Sequence, residues 1–222
     1  MRLHLIAVIC LLLSGCANPY AKYYHDQTGG EDLTRSPQAI LSPDKPAQIR
    51  GSDRSADDVR MLEDGFRLIG ISSFNGPTAE IKQMLVQAEQ VGASAVVTYP
   101  PRYIGTGVGV GGTRYTYHFF VSYWVKLKPP VLGAYFDDLS VELRQKTGSD
   151  KGVVVIAVVK NSPASSVDIR RGDVLRQIGE KEIIDKKTSE GITSQYAGKK
   201  VTVKLLRDGK EFLKDVTFNE RM

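Results

Sequence analysis

Thiols are nearly absent from this chain of 222 residues: Cys10 and Cys16 are its two cysteines, and none follows residue 16. Everything after that point must fold without a disulfide framework, a thiolate nucleophile or a cysteine-based metal site. Histidine is almost as scarce, with His25 and His118 the only two beyond the N-terminal stretch. A serine-type hydrolase needs a nucleophile, a base and an orienting acid beside an oxyanion hole, and no Gly-x-Ser-Gly-like elbow accompanies these histidines. The acid pairs Asp57-Asp58 and Asp137-Asp138 are sequence neighbours, so their carboxylates diverge or sit in turns and read as solvated surface. No catalytic residue, metal ligand or cofactor is expected. A dominant charge sign is missing too: 30 Lys/Arg against 25 Asp/Glu leave +5, interleaved along the chain. Without a basic stripe or an aromatic-basic platform, nucleic acid is not expected as a partner.

Long apolar runs are also lacking. The longest, Leu5–Leu13, has nine residues and would rise about 14 Å as a helix, too little for a bilayer core. Preceded by Arg2 and followed by small residues, it reads as a signal peptide over residues 1–15. Its ending, Leu13-Ser14-Gly15-Cys16, resembles a bacterial lipobox. That resemblance implies cleavage before Cys16 and acylation of its thiol and new amino group, which anchors the protein to a membrane. Several acyl chains hold a protein stably, at about 0.8 kcal/mol per buried CH₂. Ala17 stands where many enterobacterial lipoproteins carry the Asp of inner-membrane retention. The expected location is therefore the outer membrane of the cell envelope, facing the periplasm.

Residues 16–58 are poor in apolar side chains and carry Asn18-Pro19, Gly29-Gly30, Ser36-Pro37, Ser42-Pro43 and Lys45-Pro46. They read as lipidated Cys16 followed by a flexible tether, with Tyr20, Tyr23 and Tyr24 placed for the headgroup level. A first folded unit is expected over 59–128. Gly65–Phe74 alternates as a strand, and Asn75-Gly76-Pro77 breaks it. Ile81, Met84, Leu85, Ala88 and Val91 form one helical face opened by Thr78 and ended by Gly92. Ala93–Tyr99 and Arg114–Lys128 supply two more strands, the last with Tyr115, Tyr117, Phe119, Val121, Tyr123 and Val125 on one side. This β-α-β-β order predicts a small sandwich with its helix on one sheet face, suited to interaction or to a homo-oligomer. Gly107-x-Gly109-x-x-Gly112 fits a phosphate-binding pattern, but no helix N-terminus follows it, so a hairpin tip is expected. Pro129-Pro130 marks the boundary.

The second unit, 131–222, is the more legible. Val131-Leu132-Gly133-Ala134-Tyr135-Phe136 is a short apolar strand with one glycine. A helix follows with Ser140 as N-cap, Glu142 in its first turn, Lys146 in its last and Gly148 as its stop. Gly152–Val159 is a β-branched run suited to a buried strand. Asn161-Ser162-Pro163-Ala164, Arg171-Gly172-Asp173-Val174-Leu175 and the closing Lys199–Lys210 hairpin complete the order. These pieces together resemble the PDZ domains of HtrA-type periplasmic proteases, without the protease domain. The overall fold class is thus α+β, a small β-α-β-β sandwich followed by a PDZ-like partly open β-barrel with two helices. Two departures stand out: Val167-Asp168-Ile169 where the family usually has Ala-Gly-Leu, and Gly179-Glu180 where Asn-Gly usually turns.

The resemblance implies recognition of C-terminal or extended peptide segments of partner proteins. A ligand strand adds beside the loop strand, its carboxylate held by backbone N–H groups of Leu132, Gly133 and Ala134, with Tyr135 and Phe136 continuing the edge. On the later helix, Thr188, Ile192 and Tyr196 share a face, so Ile192 and Tyr196 are expected to wall the side-chain pocket. The expected role is a non-catalytic, membrane-anchored adaptor. Two alternatives stand beside it, an architectural assembly protein with an unused groove and a specificity subunit for a protease supplied in trans.

Overall fold

The computed structural model describes residues 18–40, 45–109 and 111–220. The signal peptide, Cys16 and the acyl anchor expected there lie outside the described residues. Two six-stranded sheets organise the chain. The first contains β1 (Tyr24–Asp26), β2 (Ala47–Arg50), β3 (Phe66–Gly76), β4 (Ala95–Thr98), β5 (Arg102–Gly109) and β6 (Gly112–Lys126). Their order is β1-β3-β6-β4-β2, with β5 paired to β6. All pairs are antiparallel except β2 with β4.

The long β6 dictates this unit because both of its faces are apolar. Phe119, Val121, Tyr123 and Val125 pack with Met84 and Ala88 of one helix, α3 (Ile81–Gln90), and with Tyr20 of another, α1 (Pro19–Lys22). Trp124 points the other way, to Ala95, Val97 and Met61 of α2 (Arg54–Glu63). The sheet therefore carries helices on both faces, not on one as the periodicity of 59–128 predicts. The cause is α2, which starts inside the stretch read as a tether. Asp53 caps it, accepting from the Ala56 N–H at 2.8 Å, and Met61, 1% exposed, anchors it. Asp57, expected at the surface, is buried there, accepting from the Ser52 N–H at 2.8 Å and pairing with Arg60 at 2.7 Å.

The tether expected over 16–58 likewise differs from the structure. β1 pairs with β3 and β2 with β4. Tyr20 is buried edge-on to Phe74, 5.0 Å between ring centroids, and Tyr23 stacks on the same ring. Tyr24 packs on Tyr123 and donates to the Ile69 carbonyl at 3.0 Å. It lies so close to Gly70 that a Cβ there would sit 2.2 Å from the tyrosine hydroxyl. The segment is poor in apolar residues by count, but its rings each bury on the order of 150–250 Å², so a few of them suffice to dock it. Ser72, fully buried, ties the layers by donating to the Tyr20 carbonyl at 2.7 Å and meeting the Tyr123 hydroxyl at 3.1 Å. Burial holds that phenol's pKa far above its ordinary value.

The glycine-rich stretch forms an antiparallel ribbon of β5 and β6, extended as far as Gly109 and Gly112. The pattern's glycines, Gly107, Gly109 and Gly112, thus sit on strands. His118 is held by Asn75, 2.9 Å from its Nδ1.

The second sheet contains β7 (Ala134–Asp138), β8 (Val153–Val158), β9 (Val174–Ile178), β10 (Lys181–Glu182), β11 (Lys200–Arg207) and β12 (Lys210–Thr217). It is open, in the order β12-β11-β9-β8-β7, with β10 on β9 and β7 at the edge. Three helices accompany it, one more than expected: α4 (Val141–Thr147), α5 (Pro163–Ser166) and α6 (Lys186–Gln195). The extra one, α5, is opened by a capping box in which Ser162 and Ser165 exchange hydrogen bonds. Val153, Val155, Leu175, Ile178, Val203 and Leu205 form the core.

Both departures from the resemblance have a local explanation. Asp168 takes the left-handed conformation at φ 60° that the missing glycine would adopt, which Asp tolerates better than most residues. Gly179-Glu180 closes a two-residue turn that pairs Ile178 with Lys181. The Gly-Asp motif is structural: Asp173, 1% exposed, accepts from the Arg170 N–H at 2.8 Å and from Arg207 Nε and Nη2 at 2.6 and 2.8 Å. The units meet where α2 packs on β8, and the Lys160 N–H donates to the Glu63 carbonyl at 2.9 Å. Among the described residues no helix is long and apolar enough to cross a membrane.

Candidate functional site

The second sheet ends in a strand with one side unused. β8 pairs with one edge of β7, and among the described residues no strand pairs with the other. Just before β7 the chain turns through Leu132 and Gly133. The Leu132 carbonyl accepts from the Ala164 N–H at 2.9 Å, and the Gly133 carbonyl accepts from the Val159 N–H at 2.8 Å and Ser162 Oγ at 3.1 Å. The carbonyls are thus committed inward. Neither the Leu132 nor the Gly133 N–H donates to an acceptor among the described residues. Gly133 has φ +79°, and a Cβ there would lie 2.1 Å from that of Ser162, so the turn has no room for any other residue. Successive amide donors at such a turn are the elements of an anion-binding nest.

Facing β7 is α6, fixed at the strand's far end where the Lys186 N–H donates to Asp138 Oδ1 at 2.8 Å. Its composition is poor for a helix, with Gly191 and several Ser/Thr. The hydroxyls are satisfied by bonding back to their own turn, which adds no helix stability: Ser189 to the Lys186 carbonyl at 2.7 Å, Thr193 to that of Ser189 at 2.6 Å and Ser194 to that of Glu190 at 2.9 Å. Asp185 caps it, accepting from the Thr188 N–H and hydroxyl at 2.7 and 2.6 Å. Those bonds hold the Asp185 carboxyl below its ordinary pKa.

A cleft of about 410 Å³ follows β7, lined by Ala134, Tyr135 and Phe136 on the strand and by Lys186, Glu190 and Thr193 on α6. The structure therefore gathers five of the seven expected groove residues, Leu132 to Phe136, at the turn and edge. It does not bring the other two. Ile192, 8% exposed, belongs to the core, and Tyr196 packs against that core with its hydroxyl near Gly179. The reason is facial: Ser189, Ile192 and Tyr196 lie on the side that rests on the sheet, and the neighbouring polar residues Lys186, Glu190 and Ser194, with Thr193 at the border, line the cleft. The i, i+4 spacing finds both rows, but an apolar row is not thereby a ligand wall.

The cleft's opposite side has no local signal in the sequence. Leu33, Leu62 and Arg67, all from the first unit, line it as well. The Arg67 guanidinium sits 5.2 Å from the centroid of the Tyr135 ring, within cation–π range. Burial raises the Tyr135 phenol pKa, and Arg67 opposes that rise. A second hollow of about 280 Å³ around Tyr24, Asp26 and Asp32 is less promising. There Asp26 is taken by Thr28, and Asp32 by Thr34 and the Arg35 N–H.

Residues 130–217 match the family model described as PDZ domain. The second unit accordingly carries a PDZ-domain match on a PDZ-like fold. Among solved structures the chain is similar to the HtrA3 PDZ domain bound to a phage-derived ligand, with 16% identity and a TM-score of 0.35. That match covers 40% of this chain and 83% of the other. It is also similar to the HtrA-type protease AlgW with a decapeptide, with 20% identity and a TM-score of 0.37. The chain covers 42% of AlgW, and the match takes in 54% of this chain. No curated protein matches the sequence.

Proposed function

We propose that the PDZ domain captures C-terminal segments of partner proteins by adding them as a strand to β7, in an adaptor held on the envelope membrane through acylated Cys16. One observation carries the reading: the unused edge of β7 begins at a turn whose two consecutive amides donate to nothing else among the described residues. A terminal carboxylate fits that need, because charge-assisted bonds to backbone N–H groups are about twice as strong as neutral ones. Main-chain pairing along Ala134–Phe136 then supplies affinity and the cleft supplies selectivity. The Cys16 anchor rests on the lipobox alone, and acyl-chain labelling with loss on Cys16→Ala tests it. For capture, the full chain is titrated with peptides bearing free C-terminal carboxylates and again with their amidated forms. Affinity should fall at least about tenfold on amidation; equal affinity, or none, would overturn the reading.

A second reading has its own observation. The β5–β6 ribbon exposes Tyr103, Ile104, Val108 and Tyr115, with Val108 90% exposed, which favours assembly through the first unit. Sedimentation of the full chain with and without Val108→Asp tests it, and an unchanged mass would count against that reading.

A further inference from the structure

We infer that the first unit is part of the ligand site, and that Arg67 selects segments with an acidic residue immediately before the C-terminal one. The inference rests on the capture reading above. A ligand whose carboxylate meets the Leu132 and Gly133 amides at the start of β7 must run antiparallel to the strand as it continues along the free edge. Its side chains then alternate between the two sides of the sheet, as those of β7 do. Ala134 and Phe136 pack with the core of the second unit, on the α6 side. Tyr135 points to the other side, where Arg67 lies over its ring. A terminal side chain that enters the apolar side beside Ala134 and Phe136 leaves the penultimate one facing Tyr135 and Arg67.

The charges there favour an acid. Arg67 is half-buried and makes no ion pair or hydrogen bond among the described residues, and Lys128 in the same cleft is also without an ion pair. The cleft's own carboxylates, Glu31 and Glu190, pair with neither cation. A guanidinium with one face on an aromatic ring keeps its edge donors free for a carboxylate. The same arrangement explains why the two units are held in contact by α2 on β8 and by the Lys160 N–H on Glu63: the reading residue stands on one unit and the carboxylate turn on the other.

The test uses the full chain and fluorescent decapeptide pools that end in Val with a free carboxylate, are randomised upstream, and carry Glu, Gln or Lys at the penultimate position. Anisotropy should rank the pools Glu, Gln, Lys, with about five- to tenfold between first and last, narrowing as salt rises. Arg67→Glu should reverse the order, Arg67→Gln should level it while leaving the Gln pool within about twofold, and Arg67→Lys should keep the Glu preference in weaker form. Circular dichroism and the fluorescence of Trp124 report whether each variant is folded. Carboxylate-dependent binding whose ranking is the same in the wild type, Arg67→Glu and Arg67→Gln overturns the inference and leaves capture standing. Binding that ignores amidation, or no binding, overturns capture and this inference with it.

Discussion

The two sheets use their surfaces in opposite ways. In the first, both faces are covered, by α1 and α3 on one side and α2 on the other, and the N-terminal segment supplies its two outer strands, β1 and β2. In the second, one face carries the core, and among the described residues the terminal strand β7 has a bare edge beside a turn whose Leu132 and Gly133 amides find no acceptor. An uncovered edge is ordinarily a liability that proteins blunt with charge, bulges or cover. Here it is flanked by α6 and by the first unit, which leave a cleft of about 410 Å³ beside it. On the proposed reading the difference divides the labour: the sheet covered on both faces is the platform, and the one with a free edge beside the cleft is the receptor.

The largest expected effect falls on the second unit alone. Asp173 is buried and holds Arg207 by two short bonds, so Asp173→Ala strands a cation and empties the loop between α5 and β9. The cost is about 3 kcal/mol, toward the lower end for broken buried pairs because Arg207 reaches solvent. In urea, circular dichroism should show the second unit melting early. Trp124, the chain's single tryptophan, lies in the first unit, and its fluorescence transition should stay in place. A joint shift of both signals would mean that the two units unfold as one.

Tyr20→Ala should do the reverse, at about 2 kcal/mol or more through its lost contact with Phe74. The same substitution in a solvated spacer would change stability by less than about 0.5 kcal/mol. A Trp124 transition that does not move would return residues 18–40 to the role of a tether.

That experiment bears on what the sequence could reveal. The second unit was legible because its signals are local: Ser140 accepts from the Leu143 N–H at 3.2 Å, Gly148 stops α4 in the left-handed conformation, and the run at Val153–Val158 is a strand. Each depends on residues only a few positions apart. The N-terminal segment was misread because what folds it is distant: β2 lies parallel to β4 with Ala47 opposite Ala95, and Tyr24 waits on Tyr123. Composition counts residues equally and so undervalues a few large rings. The groove was half legible for the same reason. The turn at Gly133 is written in adjacent residues, whereas the facing row of α6 and the presence of Arg67 depend on how separate elements are docked.

A more local effect is expected at the turn itself. Gly133→Ala places a Cβ 2.1 Å from that of Ser162 at a positive φ, so Ser162 must shift, and the overpacking and strain together cost on the order of 2 kcal/mol. The second unit's unfolding midpoint should fall by less than with Asp173→Ala, the Trp124 transition should stay in place, and carboxylate-dependent binding is lost. Retained binding would mean that the amides of this turn do not hold the carboxylate, whatever else the edge does.

The smallest effect concerns pH. The Asp185 carboxyl is held below its ordinary value of 3.8 by its bonds to Thr188. Its stabilising contribution is therefore complete above that value and is lost as pH falls through the lower folded one. Because α6 has little helix propensity of its own, loss of this cap should loosen its first turn before either core responds. The Thr188 amide resonance should shift as pH falls through that range, with peptide affinity declining alongside, while Trp124 fluorescence stays constant. In Asp185→Asn, which still caps through its side-chain oxygen, this titration of the Thr188 amide should vanish and the fall of affinity with acid should become shallower, leaving only the part that belongs to the ligand's own carboxylate. If affinity falls with acid equally in both proteins, the protonating group is the ligand's own carboxylate at the Gly133 turn, and the cap of α6 has no part in controlling the groove.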